Sequence, residues 1–509
     1  MCLTLLASVG MLSSSVLIPL VAMTGYRLPE AWILLRTVGF QLSALAVLAA
    51  LMLALSSSVA RVRMLPLSLL VLWLYPLAQP PLLHAGIPES AAAIGAGVLA
   101  VAVVLVPHGV ISRLAPWAST AEQFGIGAAA VGVVLAASLY WQQSREGLPA
   151  DVVERMTQPI GLSSTAERPD IYHIILDGLG RPDALRERYG VDTTRELSRL
   201  RSLGFSVGED VGLTNYTQTY HVLASMLNMR YLDGLPGELR DRSSREPMHD
   251  LVQNASVIRS LKAIGYELDV IAGTAQLRWH PEADRCECDY PWIGLFESQV
   301  ILRSPLHVFP WHDLQHRLHR THAVGTFDGL EAYQPEGPPR LLLAHVMLPH
   351  APFVVGPDGE PRSPDRMFSF AEGPLWEGTG EEYRQGYADQ TRYTVRRSVA
   401  IAERLIETAR SSGRSAIVIL HGDHGPRAPV NGGRVPFDAD ELFPVFLAIR
   451  GAGALPEIET TRVSTLVNLY RVILSEYFGA DLRPLPNESF MSSFGRPYDF
   501  TSVDLRGLQ

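Results

Sequence analysis

The chain has 509 residues and a formal net charge of −9 at pH 7, from 43 lysines and arginines against 52 aspartates and glutamates. Phosphate backbones are bound by clustered positive charge, so an acidic chain with few basic runs argues against nucleic acid as a partner. The charge is also uneven, because residues 1–150 hold six arginines and four glutamates, which leaves −11 for the residues after them. Residues 1–150 therefore carry a small positive net charge, whereas the rest of the chain is strongly acidic.

Five apolar stretches lie within residues 1–142. Each is long enough to cross a hydrocarbon core about 30 Å thick, which requires about 20 helical residues. They are residues 3–24, 35–58, 64–85, 91–112 and 120–142. The first stretch lacks the basic n-region of a signal peptide and four comparable stretches follow it, so it is interpreted as a retained span. The sequence predicts an N-terminal bundle of five transmembrane helices.

The arginines between these stretches predict the orientation of the bundle. Arg61 and Arg63 lie between the second and third stretches, and Arg113 lies between the fourth and fifth. Short loops that carry arginine face the cytoplasm. With five spans, the amino terminus is then cytoplasmic and everything after Trp141 is extracytoplasmic. The chain is predicted to be a multi-pass protein of the cytoplasmic membrane whose large domain is periplasmic or at the cell surface.

A globular domain is predicted over residues 169–509, after a juxtamembrane linker at residues 143–168 that mixes charge, proline, glycine and serine. In this domain, short apolar runs alternate with helical stretches. The runs are residues 171–176, 266–273, 341–348, 416–420 and 443–449, and the helical stretches are residues 182–203, 251–264 and 381–411. Buried strands that alternate with helices are typical of an α/β fold with a largely parallel sheet flanked by helices.

Polar residues follow several of the predicted strands. Asp177 follows the run IIL, Asp423 and His424 follow the run VILHG, and His350 follows HVMLP. In open α/β sheets, ligands bind beyond the carboxyl ends of the strands, where the loops converge. Carboxylates and imidazoles are common ligands of divalent ions, so Asp177, Asp423 and His424 are candidate metal ligands. Each could instead belong to an ordinary turn that leaves the sheet.

A nucleophile is predicted in the segment 215–229, whose sequence is NYTQTYHVLASMLNM. Thr219 precedes a predicted helix over residues 220–228, whose free amides and positive dipole end favour an anion. Thr219 could also serve only as the N-cap of that helix. On spacing alone, Thr217 is nearly as good a candidate.

The order of these segments resembles the alkaline phosphatase and sulfatase superfamily. Five spans before an external catalytic domain are similar to its membrane-bound branch, which includes lipoteichoic acid synthases and lipid A phosphoethanolamine transferases. The resemblance covers roughly residues 168–475 and rests on the Asp-Gly segment at 177–178 and the Asp-His-Gly segment at 423–425.

The resemblance implies a set of functional residues. By this matching, Asp177, Thr219, Asp423 and His424 hold the metal, Thr219 is the nucleophile, and His350 contacts the transferred group. True sulfatases instead use a cysteine within C-x-P-x-R, and none of the three cysteines of this chain lies in such a motif. That difference favours phosphate esters over sulfate esters. No full ligand set for a second ion is visible, so one divalent ion is expected, Zn²⁺ or Mn²⁺.

Three functions are compatible with these residues. The favoured one is a phosphotransferase that moves a head-group phosphoryl unit from a membrane lipid to an external acceptor through a threonine nucleophile. The second is a sulfatase-like hydrolase, either a phosphodiesterase or a sulfuric ester hydrolase, in which water completes the reaction. The third is a binding domain that kept the fold and lost catalysis. Transfer and hydrolysis share the nucleophile, so the sequence does not separate them.

Five further residues have simpler interpretations. His345 lies within an apolar strand and is interpreted as a hydrogen-bonded core histidine. Arg181 and Arg427 follow candidate ligands and are interpreted as structural surface arginines, although either could clamp an anion. Cys286 and Cys288 are separated by one residue and form either a local disulfide or a pair of free thiols.

Overall fold

The structure is a computed structural model of the chain. The residues that it describes are 37–38, 64–70, 89–105, 107–163, 168–272, 277, 280–287, 298, 313–364, 366, 368–429, 438–452 and 458–505. The first predicted span and most of the second and third lie outside these residues. The chain divides into two compact units, one of Met1–Glu146 with Pro291–Gln315 and one of Gly147–Tyr290 with His316–Gln509.

Two long helices are described in the first unit, α1 (Glu89–Leu105) and α2 (His108–Ser144). Helix α2 begins after Pro107, whose backbone angles are extended, φ −58° and ψ 148°. Arg113, predicted to lie between the fourth and fifth spans, lies within α2. Among the described residues, one helix, Gly109–Ser144, is long and apolar enough to cross a membrane. The bundle of five spans stays a prediction.

The second unit is built on a sheet that has seven strands within the described residues. These strands are β1 (Asp170–Leu176), β2 (Phe205–Val207), β3 (Glu267–Ala272), β4 (Arg285–Glu287), β5 (Arg340–Val346), β6 (Ala416–Gly422) and β7 (Leu447–Arg450). Their order across the sheet is β2-β7-β6-β1-β5-β3-β4. The five strands from β6 to β4 are parallel, whereas β7 is antiparallel to both of its neighbours. The prediction of an α/β fold with a largely parallel sheet is confirmed.

The central strands are buried on both faces, which explains their continuous apolar runs. Every residue of β1 and β6 is buried. In the register of the sheet, Leu176 pairs with Val346 on one side and with Gly422 on the other. The carboxyl ends of β1, β5 and β6 therefore meet at one edge of the sheet.

Helices cover both faces of the sheet. They are α3 (Ala150–Met156), α4 (Pro182–Tyr189), α5 (Thr194–Ser202), α6 (Thr219–Asn228), α7 (Glu246–Gln253), α8 (Ser256–Ala263), α9 (Leu314–Ala332), α10 (Gly380–Ser411), α11 (Ala439–Leu442), α12 (Thr460–Val463) and α13 (Leu469–Phe478). The predicted helical stretch 182–203 is two helices, because Gly190 ends α4 in the left-handed conformation, with φ 61°. Helix α10 begins with a capping box, in which Thr379 Oγ1 accepts from the Glu382 amide and Glu382 Oε2 accepts from the Thr379 amide. The last described strands, β8 (Ser489–Met491) and β9 (Thr501–Val503), form a separate hairpin-like pair.

Successive side chains of a strand point to opposite faces of the sheet, and an apolar core lies on each face. On one face, Ile171 and Ile175 pack with residues of α6, α7, α8 and α13. On the other face, Tyr172 and Ile174 pack with residues of α4, α5 and α10. The sheet is thus held rigidly between two helical layers, and its carboxyl edge is a fixed platform for the loops that follow the strands.

Candidate metal centre

A buried cluster of carboxylates and imidazoles lies at the carboxyl edge of the sheet. Asp177 follows β1, Asp423 and His424 follow β6, and His345 is the sixth residue of β5. All four are at most 3% exposed. Asp177 Oδ2 lies 3.3 Å from His345 Nε2, and Asp177 Oδ1 lies 3.5 Å from His424 Nε2. The predicted ligands Asp177, Asp423 and His424 are thus brought together.

The donor atoms of this cluster fit a divalent ion. Asp177 Oδ1, Asp423 Oδ2 and His424 Nε2 are buried without a hydrogen-bond partner among the described residues, which is costly unless something else binds them. Nδ1 of His424 donates to the Gly425 carbonyl at 2.8 Å, so Nε2 carries the lone pair that a metal needs. Asp423 Oδ1 accepts from the Gly178 and His424 amides at 3.0 and 2.9 Å, which aims Oδ2 into the cluster.

Two overlapping groups of possible ligands share Asp177. One consists of Asp177, His350 and His424, and the other of Asp177, His345 and Asp423, with the ligand atoms of each group within 4.8 Å of one another. Burial alone would raise the pKa of Asp177, but the charge of His350 and the contact with His345 hold it well below its usual range. Burial and the charge of Arg427 lower the pKa of His424, which favours the neutral imidazole that binds metals.

His350 lies beside this cluster but is held by other partners. Its Nδ1 donates to the Ala351 carbonyl at 2.6 Å, and its Nε2 lies 3.1 Å from Glu372 Oε2. Although burial opposes it, the charges of Glu372 and Asp177 raise the pKa of His350 to about 9. Its ring centroid is 6.0 Å from that of His424. His350 therefore lies next to the candidate metal ligands and is itself a member of one of the two possible ligand groups.

Thr219 is the first residue of α6, with Gln218 as the N-cap. Its side chain is partly exposed, whereas Thr217 is 4% exposed. No hydrogen bond joins Thr219 to the metal ligands in the part of the chain that the structure describes. The contact between this segment and the centre is made by the Thr217 carbonyl, which accepts from Arg427 Nη2. The roles of Thr219 as ligand and nucleophile stay predictions.

The two arginines are not on the surface. Arg181 is buried and pairs with Asp183, with Nη2 to Oδ2 at 2.8 Å. Arg427 is buried, and its Nη1 lies 3.2 Å from Glu372 Oε2. The prediction of surface arginines is therefore wrong, because each guanidinium is paired with a carboxylate inside the protein.

Two residues of the centre were not predicted from the sequence. His345 is a core histidine as expected, but it also contacts Asp177 and belongs to a possible ligand group. Its position at the end of an apolar strand, next to β1, was the available signal. Glu372 lies in the irregular segment FSFAEGPLW, where no periodicity marks it. Cys286 is disulfide-bonded, and its partner lies outside the described residues.

Stability near the centre is expected to depend on pH through Glu441, a residue of α11. Burial raises the pKa of Glu441 to about 7 from its ordinary value of 4.5. Between these two values, the unfolded chain loses the proton first, so the free energy of unfolding falls as pH rises, by at most about 3 kcal/mol. In thermal unfolding of the full chain in detergent, Glu441→Gln should match the wild type near pH 4.5 and unfold at higher temperature at pH 8.

The exposed neighbour Asp440 provides the control for this prediction. Its side chain is 59% exposed, so Asp440→Asn removes a carboxylate from the same helix without a burial effect. Asp440→Asn should therefore not reproduce the higher unfolding temperature that Glu441→Gln shows at pH 8. Equal midpoints of Glu441→Gln and wild type at pH 8 would contradict the assignment.

Fold and cluster together define an α/β protein with a candidate divalent-metal centre at the carboxyl edge of its sheet. Among solved structures, the chain is similar to the C-terminal periplasmic domain of EptC from Escherichia coli, at 13% identity and TM-score 0.44, over 69% of this chain and 99% of that chain. It is also similar to the integral membrane lipooligosaccharide phosphoethanolamine transferase A from Neisseria meningitidis, at 10% identity and TM-score 0.41, over 78% of this chain and 70% of that chain.

A third similar structure is a putative sulfatase from Bacteroides fragilis, at 14% identity and TM-score 0.37, over 66% of this chain and 84% of that chain. Likenesses at these identities and TM-scores assign no activity to this chain. No protein-family model and no curated protein matches it.

Proposed function

We propose that the chain is a membrane-anchored, metal-dependent phosphotransferase that acts on phosphodiester substrates, with a lipid head group as the transferred unit. The observation that carries the proposal is the buried cluster in which oxygens of Asp177 and Asp423 and Nε2 of His424 lack hydrogen-bond partners among the described residues. Such a donor set is suited to one divalent ion, Zn²⁺ or Mn²⁺.

Asp177, Asp423 and His424 would hold this ion, with Thr219 as the fourth ligand. When bound, the ion supplies a Lewis acid that lowers the pKa of a coordinated hydroxyl and offsets charge on phosphoryl oxygens. Because Thr219 begins α6, the free amides of that helix are available to an anion next to the hydroxyl. Thr219 is preferred to Thr217 because its side chain is partly exposed and therefore accessible to a substrate.

The chain's own residues then carry the transfer in two steps. In the first, the Thr219 hydroxyl gives its proton to solvent water, its Oγ1 bonds to phosphorus, and the bond from phosphorus to the donor alcohol breaks. His350, whose ring lies beside the centre, is placed to donate the proton that the departing oxygen takes up. In the second step, an acceptor hydroxyl gives its proton to the neutral His350 and bonds to phosphorus. The bond from phosphorus to Thr219 Oγ1 then breaks, and Oγ1 takes a proton from solvent, which restores Thr219. The proposal places the catalytic domain outside the cytoplasmic membrane, with the amino terminus inside.

The threonine is tested by intact-mass measurement of the full chain after incubation with bis(p-nitrophenyl) phosphate, a chromogenic phosphodiester. Wild type should acquire a phosphoryl-type adduct, and Thr219→Ala should acquire none. Thr217→Ala is the matched control, because it keeps the backbone carbonyl that Arg427 contacts, and it should retain the adduct. An adduct on Thr219→Ala but not on Thr217→Ala would move the nucleophile to Thr217.

The lipid substrate is tested separately, with vesicles that contain phosphatidylethanolamine labelled in the head group. Label that appears on a hydroxylated acceptor supports transfer, whereas label found only as free head group shows hydrolysis. If no phosphodiester reacts and no metal co-purifies with the wild type, the enzyme proposal fails and the inactive binding domain becomes the better description.

A further inference from the structure

One buried carboxylate outside the metal cluster joins several parts of the candidate active site. Glu372 lies on an irregular segment between β5 and α10, and its side chain is 4% exposed. Charged side chains are rarely buried to this extent unless their partners require it. The partners of Glu372 therefore indicate what it does.

Both oxygens of Glu372 are engaged. Oε1 accepts from the Tyr383 hydroxyl at 2.7 Å. Oε2 lies close to two side-chain nitrogens, His350 Nε2 at 3.1 Å and Arg427 Nη1 at 3.2 Å. The same tyrosine oxygen accepts from the Arg427 amide at 2.9 Å. Three donors from three separate segments thus converge on a single carboxylate.

Two of these donors, His350 and Arg427, lead to other parts of the candidate site. His350 lies beside His424, with ring centroids 6.0 Å apart. Arg427 follows the metal loop, and its other nitrogen, Nη2, donates to the carbonyl of Thr217 in the segment that leads to Thr219. Through these contacts, Glu372 connects the histidine, the metal loop and the threonine segment.

We propose that Glu372 is a positioning residue of this site, which fixes His350 beside the metal ligands and, through Arg427, fixes the segment that carries Thr219. This inference rests on the proposed function for its catalytic consequence, but not for its geometry. Residues that orient other functional groups in this way typically change activity by about 10- to 100-fold when they are replaced.

The second unit contains a matched control for a purely structural role. Asp269 on β3 is also a buried carboxylate that accepts from a tyrosine hydroxyl, Tyr333 at 2.6 Å, and from an arginine, Arg340 Nη1 at 3.1 Å. It lies within the strand, three residues before the carboxyl end of β3 at Ala272. Asp269→Asn therefore reports the general cost of neutralising such a carboxylate.

The kinetic test compares Glu372→Gln, His350→Gln and the double variant as full chains in detergent, with bis(p-nitrophenyl) phosphate as substrate and metal content measured in parallel. Glu372→Gln should lower kcat by about 10- to 100-fold with KM within about twofold and metal content unchanged. Asp269→Asn should leave kcat within about twofold. Since Glu372 acts partly through His350, the fold-decrease in kcat of the double variant should be smaller than the product of the fold-decreases of the two single variants.

Three results would overturn the inference. They are wild-type kcat in Glu372→Gln, an equal loss in Asp269→Asn, and fully multiplicative losses in the double variant. A second readout does not need turnover: carbethoxylation of His350 by diethyl pyrocarbonate, followed by peptide mass spectrometry, should be severalfold faster in Glu372→Gln than in wild type or Asp269→Asn. If neither the wild type nor any variant turns over the substrate, but His350 is still labelled faster in Glu372→Gln than in the wild type, the proposed function fails and the positioning role stands. Unchanged labelling in that case overturns both.

Discussion

Asp423→Asn is expected to remove the bound divalent metal and to lower phosphodiester turnover by about 10³-fold or more. Asn retains an oxygen at Oδ1, which can still accept from the Gly178 and His424 amides. The backbone of the loop should therefore keep its conformation. At Oδ2, however, an uncharged NH₂ group replaces the buried oxygen that lacks a hydrogen-bond partner among the described residues. The variant loses one charged ligand while the fold remains.

Two measurements check this prediction. Elemental analysis of the purified full chain gives the metal per protein, and turnover of bis(p-nitrophenyl) phosphate gives the activity. Added metal should also raise the unfolding temperature of the wild type, because a ligand at about 1,000 times its dissociation constant stabilises the folded state by about 4 kcal/mol. Asp423→Asn should show almost none of this increase. If Asp423→Asn retains both the metal and the activity, the centre is not where the cluster places it.

Candidate ligands could be named from the sequence because of a general property of parallel sheets. Asp177 and Asp423 each follow a buried apolar run, and the carboxyl ends of neighbouring parallel strands meet at one edge. In the structure, Leu176 pairs with Gly422, so the residues that follow them, Asp177 and Asp423, lie at the same edge of the sheet. The sequence marked both residues as candidates by their position after a predicted strand, whereas their contact depends on the pairing of β1 with β6.

Other parts of the site depend on contacts that a sequence does not display. His345 was interpreted as a core residue because it lies within an apolar run, and its contact with Asp177 arises only when β5 pairs with β1. Glu372 is 22 residues from His350 and 55 from Arg427, and it lies in neither helix nor strand. Hydrophobic periodicity cannot identify such a residue.

The direction of β7 and the start of α2 are two features of the fold that the sequence analysis did not predict. The run 443–449 was correctly predicted as a strand region, but the direction of β7 depends on the chain that connects it to β6, and β7 pairs with β6 in antiparallel orientation. The fourth and fifth spans were predicted at residues 91–112 and 120–142, with Arg113 between them. In the structure, α2 begins after Pro107 and continues through Arg113.

Gly422→Ala and Gly425→Ala are expected to destabilise the second unit by about 3 kcal/mol or more each. The reason is lack of space. A Cβ atom on Gly422 would lie 2.0 Å from the Leu179 carbonyl oxygen, and one on Gly425 would lie 2.0 Å from the Glu441 carbonyl oxygen. Both obstacles are backbone atoms, which cannot move aside as the end of a flexible side chain can. The loop that carries Asp423 and His424 would have to shift.

Thermal unfolding and metal content of the full chain check this prediction together. Gly161→Ala is the control, because a Cβ at that position has no neighbour within 4 Å, and it should change neither quantity appreciably. A variant that folds with a displaced loop should bind less metal at a given concentration, because Asp423 Oδ2 and His424 Nε2 no longer converge on the same point as Asp177. If both glycine variants unfold at the same temperature as the wild type, the prediction is wrong, because the loop can then accommodate a Cβ atom at either position. The two glycines around Asp423 and His424 therefore allow the close backbone packing that holds these two candidate ligands in place.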